Sequence, residues 1–252
     1  MVDAHAHLDR YGADLPKALA QIRSMSLRTL AVSMDVESFR ATQQIAKREP
    51  LVLPCFGVHP WEAPRFVDHL SALTGPLEET SVIGEIGLDH RFVTDVSLYS
   101  AQQTVFEHFL DAAKRSGRLV NLHTAGAEAA VLACLRERAL SSVIVHWYSG
   151  PDELVGDYLD LGAHFTVGVE VLQSEKARAL AARLPGDRLL TETDNPGGWE
   201  WLTKEVGFPD LIVEVEEALA EIRGCSREDL SAQIDENFTR ALREGGVELR
   251  GC

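Results

Sequence analysis

The chain begins with two histidines one residue apart, His5 and His7, set between small apolar residues. Alternate side chains of a β-strand share a face, so both imidazoles would project to the same side. Neutral imidazole is a common ligand of transition metals, and the pair therefore predicts a metal site at a strand end. Because so short a pattern also arises by chance, its weight depends on the rest of the chain.

The rest of the chain repeatedly places a histidine or a carboxylate at the end of a short apolar run. Together with the first pair, these strand-end residues are His5, His7, His59, Glu85, His123, His146, Glu192 and Asp194. A single strand-end histidine is usually structural, so the prediction of a site depends on the set. His69 and His108 fall in predicted helices and His164 begins a predicted strand, which indicates structural or surface roles. Both interpretations stay open for His90, which follows Asp89.

Short apolar runs alternate with amphipathic segments, the pattern of βαβ units around a parallel sheet. After the first strand, strands are predicted at 27–32, 51–58, 81–86, 119–122, 143–145, 165–167 and 189–190. Helices are predicted at 15–25, 36–47, 66–73, 97–116, 128–138, 151–161, 172–184, 209–222 and 227–243, with a break at Gly75-Pro76 and a loop over 195–208. A (β/α)₈ or TIM barrel gathers the carboxyl ends of its strands on one face, so this α/β fold would unite the strand-end residues. An open doubly wound sheet fits less well, because no glycine-rich phosphate loop follows any predicted strand.

The composition is that of a globular protein with a large core: 252 residues, of which 45% are hydrophobic and 25% charged. This length suits one barrel, and a single domain over 1–252 is predicted. The net charge of −15 argues against a broad basic surface for nucleic acid, so the site itself would have to attract phosphate. The chain shows neither a secretory segment nor an apolar run of membrane-spanning length, so we expect a cytoplasmic protein that binds no membrane.

The number of candidate ligands indicates more than one metal ion. Four of these imidazoles with two of the carboxylates already exceed the needs of one tetrahedral ion and suit two divalent cations that share a carboxylate. Mixed nitrogen and oxygen ligands favour Zn²⁺ or Mn²⁺ and leave Mg²⁺ as a weaker match. Two cations predict hydrolysis, because they activate water and stabilise charge on the attacking and leaving oxygens.

The same residues lie in longer motifs that run nearly the length of the chain. These are Asp3-Ala4-His5-Ala6-His7-Leu8, Gly57-Val58-His59-Pro60, Gly84-Glu85-Ile86-Gly87-Leu88-Asp89, His123, His146 with Ser149-Gly150, Glu192-Thr193-Asp194-Asn195-Pro196, and Asn237 before Arg240. Together they resemble the TatD-type metal-dependent nucleases of the amidohydrolase superfamily, which have a TIM-barrel fold. The last motif is the least specific, whereas the ordered set would rarely arise by chance.

The resemblance implies a role for each strand-end residue. The expected metal ligands are His5, His7 and Asp194 for one ion and His123 and His146 for the other, with Glu85 bridging the two. Asp194 would also act as the catalytic base that orients the attacking water and takes its proton. Glu192 would support the ligands and His59 would contact substrate, although purely structural roles stay open for both.

The sequence departs from the family pattern around the expected pocket. Ala125 stands where relatives usually carry an arginine suited to phosphate, so a bidentate clamp is missing there. Trp147 follows the second of the two later histidines, where a cysteine is common, and is predicted to bind substrate. Together with Tyr148, Trp199 and Trp201 it could stack on bases, although a role as pocket wall or core stays open for Trp147.

Three functions are compatible with these residues. The first is a two-metal exonuclease-like phosphodiesterase that acts on single-stranded or frayed ends of DNA, with RNA as a further substrate. The second is a metal-dependent hydrolase of a small ester, amide or lactone, which Ala125 favours and which the versatility of barrel loops allows. The third is a non-catalytic barrel in a multi-protein system such as phage defence, which the complete ligand set disfavours.

Overall fold

Eight parallel strands form the centre of the computed structural model, which describes residues 1–247. Positions 248–252 of the predicted domain lie outside the described residues. The strands neighbour one another in chain order, from β1 to β8. Their bounds are Val2–Ala6 (β1), Arg28–Ala31 (β2), Val52–Phe56 (β3), Val82–Gly87 (β4), Val120–His123 (β5), Val143–Val145 (β6), His164–Val167 (β7) and Leu189–Thr191 (β8).

Backbone hydrogen bonds join the last strand to the first. The amide of Asp194 donates to the carbonyl of His5 at 2.9 Å, and the amide of His7 donates to the carbonyl of Asn195 at 2.9 Å. These bonds lie just beyond the carboxyl end of β8, so they close the barrel at its upper rim. The predicted TIM barrel is confirmed, and its closure holds Asp194 against the first histidine pair.

Ten helices surround the strands within residues 1–247. Their bounds are Leu15–Met25 (α1), Val36–Ala46 (α2), Thr74–Glu79 (α3), Tyr99–Ser116 (α4), Glu128–Arg138 (α5), Glu153–Asp160 (α6), Glu175–Arg183 (α7), Gly197–Thr203 (α8), Leu211–Arg223 (α9) and Arg227–Glu244 (α10). The start of α10 is capped, since the Ser226 hydroxyl accepts the amide of Asp229 at 3.1 Å. No helix in this range combines the length and the apolar character needed to cross a bilayer.

The core lies between the barrel and the helices, with a second layer inside the barrel. Every residue of β1 and β4 is buried, as expected for parallel strands covered on both faces. The long helix α4 packs Phe106 and Phe109 onto the sheet, and both rings are fully buried. Burial of such a side chain contributes about 1.5–3 kcal/mol, so this contact holds α4 and β4 together.

Three predictions about local structure are wrong. The segment predicted as a helix at 66–73 is mostly turn, with one 3₁₀ turn at Leu70–Leu73. Gly75-Pro76 does not break the chain but lies in the first turn of α3, where a proline is tolerated because its missing N–H has no intrahelical acceptor. The predicted loop at 195–208 contains α8, whose tryptophans occupy a helix above the barrel.

Candidate metal centre

The six expected metal ligands meet at the carboxyl face of the barrel. Three lie within strands, namely His5 in β1, Glu85 in β4 and His123 at the end of β5. His7, His146 and Asp194 follow β1, β6 and β8 by one to three residues. The residues are separated by up to 189 positions in sequence, so the barrel alone brings them together.

One oxygen of Glu85 faces the first histidine pair. Its Oε2 atom lies 3.4 Å from Nε2 of His5 and 3.4 Å from Nε2 of His7. The Oδ1 atom of Asp194 faces the same two nitrogens at 3.6 Å and 3.4 Å. Two imidazoles and two carboxylates therefore surround one point.

The other oxygen of Glu85 faces three further imidazoles. Its Oε1 atom lies 2.9 Å from Nδ1 of His123, 3.0 Å from Nε2 of His146 and 3.5 Å from Nε2 of His59. Glu85 thus faces the two groups of histidines through different oxygens. His59 belongs to the second group by distance, which its sequence motif alone did not indicate.

The separations and the donor types fit divalent cations. Two atoms bonded to one ion at about 2.1 Å lie about 3.4 Å apart in a tetrahedral arrangement and about 3.0 Å apart at a right angle. The nitrogens of His5 and His7 around Oε2 of Glu85 match the first separation, and those of His123 and His146 around Oε1 match the second. Within residues 1–247, Nε2 of His5 is buried without a hydrogen-bond partner, as suits a nitrogen reserved for a metal ion.

Buried polar residues orient several of these side chains. The Oδ1 atom of Asn121 on β5 accepts a hydrogen bond from Nδ1 of His5 at 2.8 Å, and its Nδ2 atom donates to the carbonyl of Ala4 at 2.9 Å. These bonds fix the His5 imidazole so that its Nε2 atom points into the site. Asp3 accepts the amide of Thr193 at 2.9 Å and its hydroxyl at 2.7 Å, and so anchors the segment that carries Asp194. Burial raises the pKa of Asp3 to about 7.

Two carboxylates contact the second histidine group. Oδ2 of Asp89 lies 3.2 Å from Nε2 of His123, and Oε2 of Glu192 lies 3.5 Å from Nδ1 of His146. Glu192 also accepts the amide of Trp147 at 3.0 Å. Sequence reasoning left Asn121 and Asp89 without a role, although Asp89 closes the quoted Gly84–Asp89 motif.

The electrostatics of the site keep its central carboxylate ionised. Burial by itself would raise the pKa of Glu85, but the imidazoles of His59, His5 and His146 hold that pKa well below its usual range. Burial likewise opposes the charged form of His146, whereas Glu85 and Glu192 raise the pKa of this imidazole well above its ordinary value. A cluster that holds positive charge this strongly is electrostatically suited to cations.

Two motif glycines let neighbouring strands approach at the site. A Cβ atom on Gly57 would lie 2.2 Å from the carbonyl oxygen of Glu85, and one on Gly87 would lie 1.8 Å from the carbonyl oxygen of His123. Gly87 also adopts a φ of +155°, which side chains other than glycine rarely take. The glycines of the motifs therefore set the spacing between the ligand-bearing strands.

A cavity of about 480 Å³ opens above these residues. Three cationic side chains lie in its wall, those of Arg10, Arg91 and Lys204. Arg91 lies near Ala125, because the amide of its neighbour His90 donates to the Ala125 carbonyl at 2.9 Å. The guanidinium of Arg91 donates to the Ser149 hydroxyl at 2.7 Å. The wall of the cavity thus carries these three cations together with the carboxylates of Glu85, Asp194 and Glu200.

The aromatic residues of the cavity differ in part from those predicted. Trp147 and Trp201 line it, as do Trp61 and Phe92, which sequence reasoning missed although they follow the motif residues His59 and Asp89 by two and three positions. The prediction that Tyr148 and Trp199 could stack on bases is not supported. Tyr148 is buried, and its hydroxyl donates a hydrogen bond to the carbonyl of Pro151. Trp199 packs against the core outside the cavity.

The remaining histidines lie away from the metal centre. His69 is exposed, His108 lies on α4, and His164 is buried at the start of β7. His90, whose role was open, stacks on Tyr99 with ring centroids 3.8 Å apart. It does not line the cavity formed by the described residues, so its role here is packing.

A closed parallel barrel with a histidine and carboxylate centre at its carboxyl face defines the class of metal-dependent TIM-barrel hydrolases. The family described as TatD related DNase matches residues 2–243, and the chain belongs to this family. An uncharacterised metal-dependent hydrolase, YcfH of Escherichia coli K12, is 29% identical over 99% of this chain and 98% of its own length. A protein of Edwardsiella piscicida named 3′-5′ ssDNA/RNA exonuclease TatD is 28% identical over 74% of this chain and 75% of its own length. The solved structure of the Escherichia coli TatD homologue YJJV has the same fold, with a TM-score of 0.86 at 24% identity over 96% of this chain and 97% of that one.

Proposed function

We propose that this metal-dependent hydrolase is a two-metal phosphodiesterase that cleaves nucleotides from single-stranded or frayed ends of DNA, with RNA as a further substrate. The observation that carries the proposal is the position of Glu85, whose two oxygens face separate groups of imidazoles 2.9–3.5 Å away. A carboxylate so placed is suited to bridge two divalent cations, for which Zn²⁺, Mn²⁺ and Mg²⁺ are the candidates.

The ligand assignment follows from which oxygen each residue faces. His5, His7 and Asp194 surround Oε2 of Glu85 and would hold one cation, while His123 and His146 face Oε1 and would hold the other. The bound cations would acidify water and neutralise charge on the phosphodiester oxygens.

Asp194 is the carboxylate best placed to take a proton. Its side chain is 23% exposed, whereas that of Glu85 is 2% exposed. Asp194 also lines the cavity, so its carboxylate can orient a water there and accept its proton, as a general base does. Glu192 would hold the imidazole of His146 in place. His59, beside Glu85, would contact the substrate or its leaving group.

Positive charge in the cavity wall supports a phosphate substrate. The side chain of Arg91 is 43% exposed and its guanidinium lies 3.9 Å from the carboxylate of Glu128, while Arg10 and Lys204 lie in the same wall. Arginine binds phosphate oxygens through two parallel N–H donors, so Arg91 can supply the clamp that Ala125 does not. The name of the Edwardsiella relative, a ssDNA/RNA exonuclease, agrees with this substrate class.

The experiment that tests the proposal is hydrolysis of an end-labelled single-stranded oligonucleotide by protein stripped of metal and supplied with Mg²⁺, Mn²⁺ or Zn²⁺. We expect stepwise shortening that needs metal, and a loss of about 10²–10⁴-fold in kcat for Asp194→Asn, the range of a removed general base. His123→Ala should lose metal as well as activity. His69→Ala, which changes an exposed histidine outside the site, is the matched control and should behave as wild type.

A second candidate function, hydrolysis of a small ester, amide or lactone, is favoured by Ala125 and by a cavity of about 480 Å³, which suits a small molecule. Parallel assays with an activated carboxyl ester, a lactone and a phosphodiester separate the two candidates. Metal-dependent turnover of the ester or lactone without release of nucleotides would replace the first proposal by the second.

A further inference from the structure

Four aromatic rings form a continuous chain across the mouth of the cavity. We call this chain, made of Trp61, Phe92, Trp201 and Trp147, the aromatic bridge. Ring centroids of successive members are 6.3 Å, 6.3 Å and 6.2 Å apart, with interplanar angles of 76°, 86° and 82°. These are edge-to-face contacts, so no pair of rings stacks face to face.

The bridge crosses the barrel rather than following its rim. Phe92 lies in the segment after β4, and Trp201 lies on α8, after β8. Because the eight strands neighbour one another in chain order, β4 and β8 lie on opposite sides of the barrel. The contact between these two rings therefore spans the opening, above the cavity that Glu85 and Asp194 line.

The rings are unusually exposed for their size. Trp61 is 48% exposed, Phe92 50% and Trp201 58%, and these are three of the five exposed large hydrophobic residues among positions 1–247. Exposed apolar side chains gathered at one place mark a binding surface rather than core. Aromatic faces bind nucleobases by stacking, whatever the base, because every base has a π-face.

Charge next to the bridge identifies the occupant. Arg91 precedes Phe92 in the chain, and Lys204 follows the last residue of α8 and donates a hydrogen bond from its ammonium to the carbonyl of Trp201 at 3.4 Å. Both cations line the same cavity as the rings. Aromatic rings interleaved with basic side chains suit a single-stranded nucleic acid, whose bases stack while its phosphates pair with the cations.

We propose that the aromatic bridge stacks the unpaired terminal bases of a strand and admits only a strand end to the metal centre; this rests on the proposed phosphodiesterase function. A continuous strand would have to pass beneath the contact between Phe92 and Trp201, whereas an end can enter from one side. Paired bases inside a duplex offer no free faces to the rings, because each is already stacked between two neighbours. The bridge is thus a specificity determinant for ends over interior bonds.

The test compares a linear single-stranded oligonucleotide with a covalently closed circle of the same sequence. Wild type should shorten the linear strand and leave the circle intact. Trp201→Leu and Phe92→Leu should raise KM for the linear strand at least about fivefold, the lower limit for one lost stacking contact, with kcat within about twofold. The combined variant, in which the crossing contact is gone, should also cut the circle.

Two control variants separate stacking from general damage. Trp201→Phe keeps an aromatic face, so its KM should stay close to that of wild type. Val96→Ala changes a residue that is 72% exposed and lies outside the cavity, and should leave both readouts unchanged. Equal cutting of circle and linear strand by wild type, or unchanged KM in both leucine variants, would overturn the inference.

A binding measurement distinguishes failure of the bridge from failure of the proposed function. Anisotropy of a labelled, nuclease-resistant phosphorothioate oligonucleotide reports stacking without hydrolysis. If no cation supports hydrolysis but Trp201→Leu weakens this binding and Trp201→Phe restores it, the bridge stands and the phosphodiesterase proposal falls. Hydrolysis by wild type with unaltered binding and KM in Trp201→Leu refutes the bridge alone.

Discussion

Replacement of Gly87 by alanine should dismantle the metal centre without touching a ligand. A Cβ atom at this position would lie 1.8 Å from the carbonyl oxygen of His123, whereas real Cβ atoms essentially never approach within 3.0 Å. The two strands must therefore separate by at least about 1.2 Å where Gly87 pairs with His123. The hydrogen bond from the Leu88 amide to the same carbonyl, 3.2 Å long, would break as well.

The size of this shift decides the expected outcome. Metal sites tolerate deviations of about 0.2 Å in ligand distances, so a displacement of 1.2 Å removes His123 from the group of atoms around Glu85. We expect Gly87→Ala to lose the cation that His123 would bind, to lose at least about 10²-fold in turnover and to lose about 1–3 kcal/mol of unfolding free energy. Elemental analysis of metal content, oligonucleotide turnover and urea unfolding measure the three effects.

Gly156→Ala is the matched control, because Gly156 is exposed in α6 and a Cβ atom there would meet nothing within 4 Å. Alanine in this helix should raise the unfolding free energy by about 0.5–1 kcal/mol and leave metal content unchanged. A folded Gly87→Ala protein with wild-type metal content and turnover would refute the account of how β4 and β5 position the ligands.

Three further predictions concern single side chains. Arg91→Ala should raise KM for a phosphodiester about 10- to 150-fold, because hydrogen bonds to charged groups contribute about 1.5–3 kcal/mol. The kcat for the phosphodiester and the turnover of an uncharged ester should change little. Equal losses on both substrates would contradict a phosphate contact. Asn121→Ala should weaken metal binding about 10- to 100-fold by releasing the His5 imidazole, measured by chelator competition, and unchanged affinity would count against this orientation. His164 is buried, and burial lowers its pKa to about 4, so the unfolded state binds a proton between pH 6.5 and 4 while the folded state does not. Wild type should lose about 2–3 kcal/mol of unfolding free energy through this group between pH 7.5 and 4.5. His164→Leu should lack that loss in urea titrations at the two pH values, and an equal pH dependence in both proteins would contradict this account.

Much of the fold could be predicted because its determinants are local. Helices α1 and α5 begin and end where their periodicity indicates, and β6 coincides with the predicted strand at 143–145. The wrong predictions concern segments whose conformation is not determined by the residues next to them in the chain. Gly75-Pro76 reads as a break in isolation, yet it begins a helix, and α8 forms in a segment rich in glycine and tryptophan.

The sequence by itself indicated the family of the protein and its candidate metal ligands. A period of two places His5 and His7 on one face, and the regular ending of strands on histidine or carboxylate nominates one face of one barrel. Both features depend only on local geometry, so no knowledge of tertiary contacts is needed. The same is true of the family, whose motifs are contiguous in the chain.

Only the tertiary structure decided what surrounds those ligands. That Asn121 holds His5, that Asp89 contacts His123 and that Phe92 meets Trp201 over the opening depends on how eight strands curve and close, which no local pattern specifies. Closure of the barrel brings segments after β4 and β8 within contact although more than 100 residues separate them. The candidate metal ligands thus lie at strand ends that the sequence reveals, whereas the loops that form the cavity above them meet only in the folded protein.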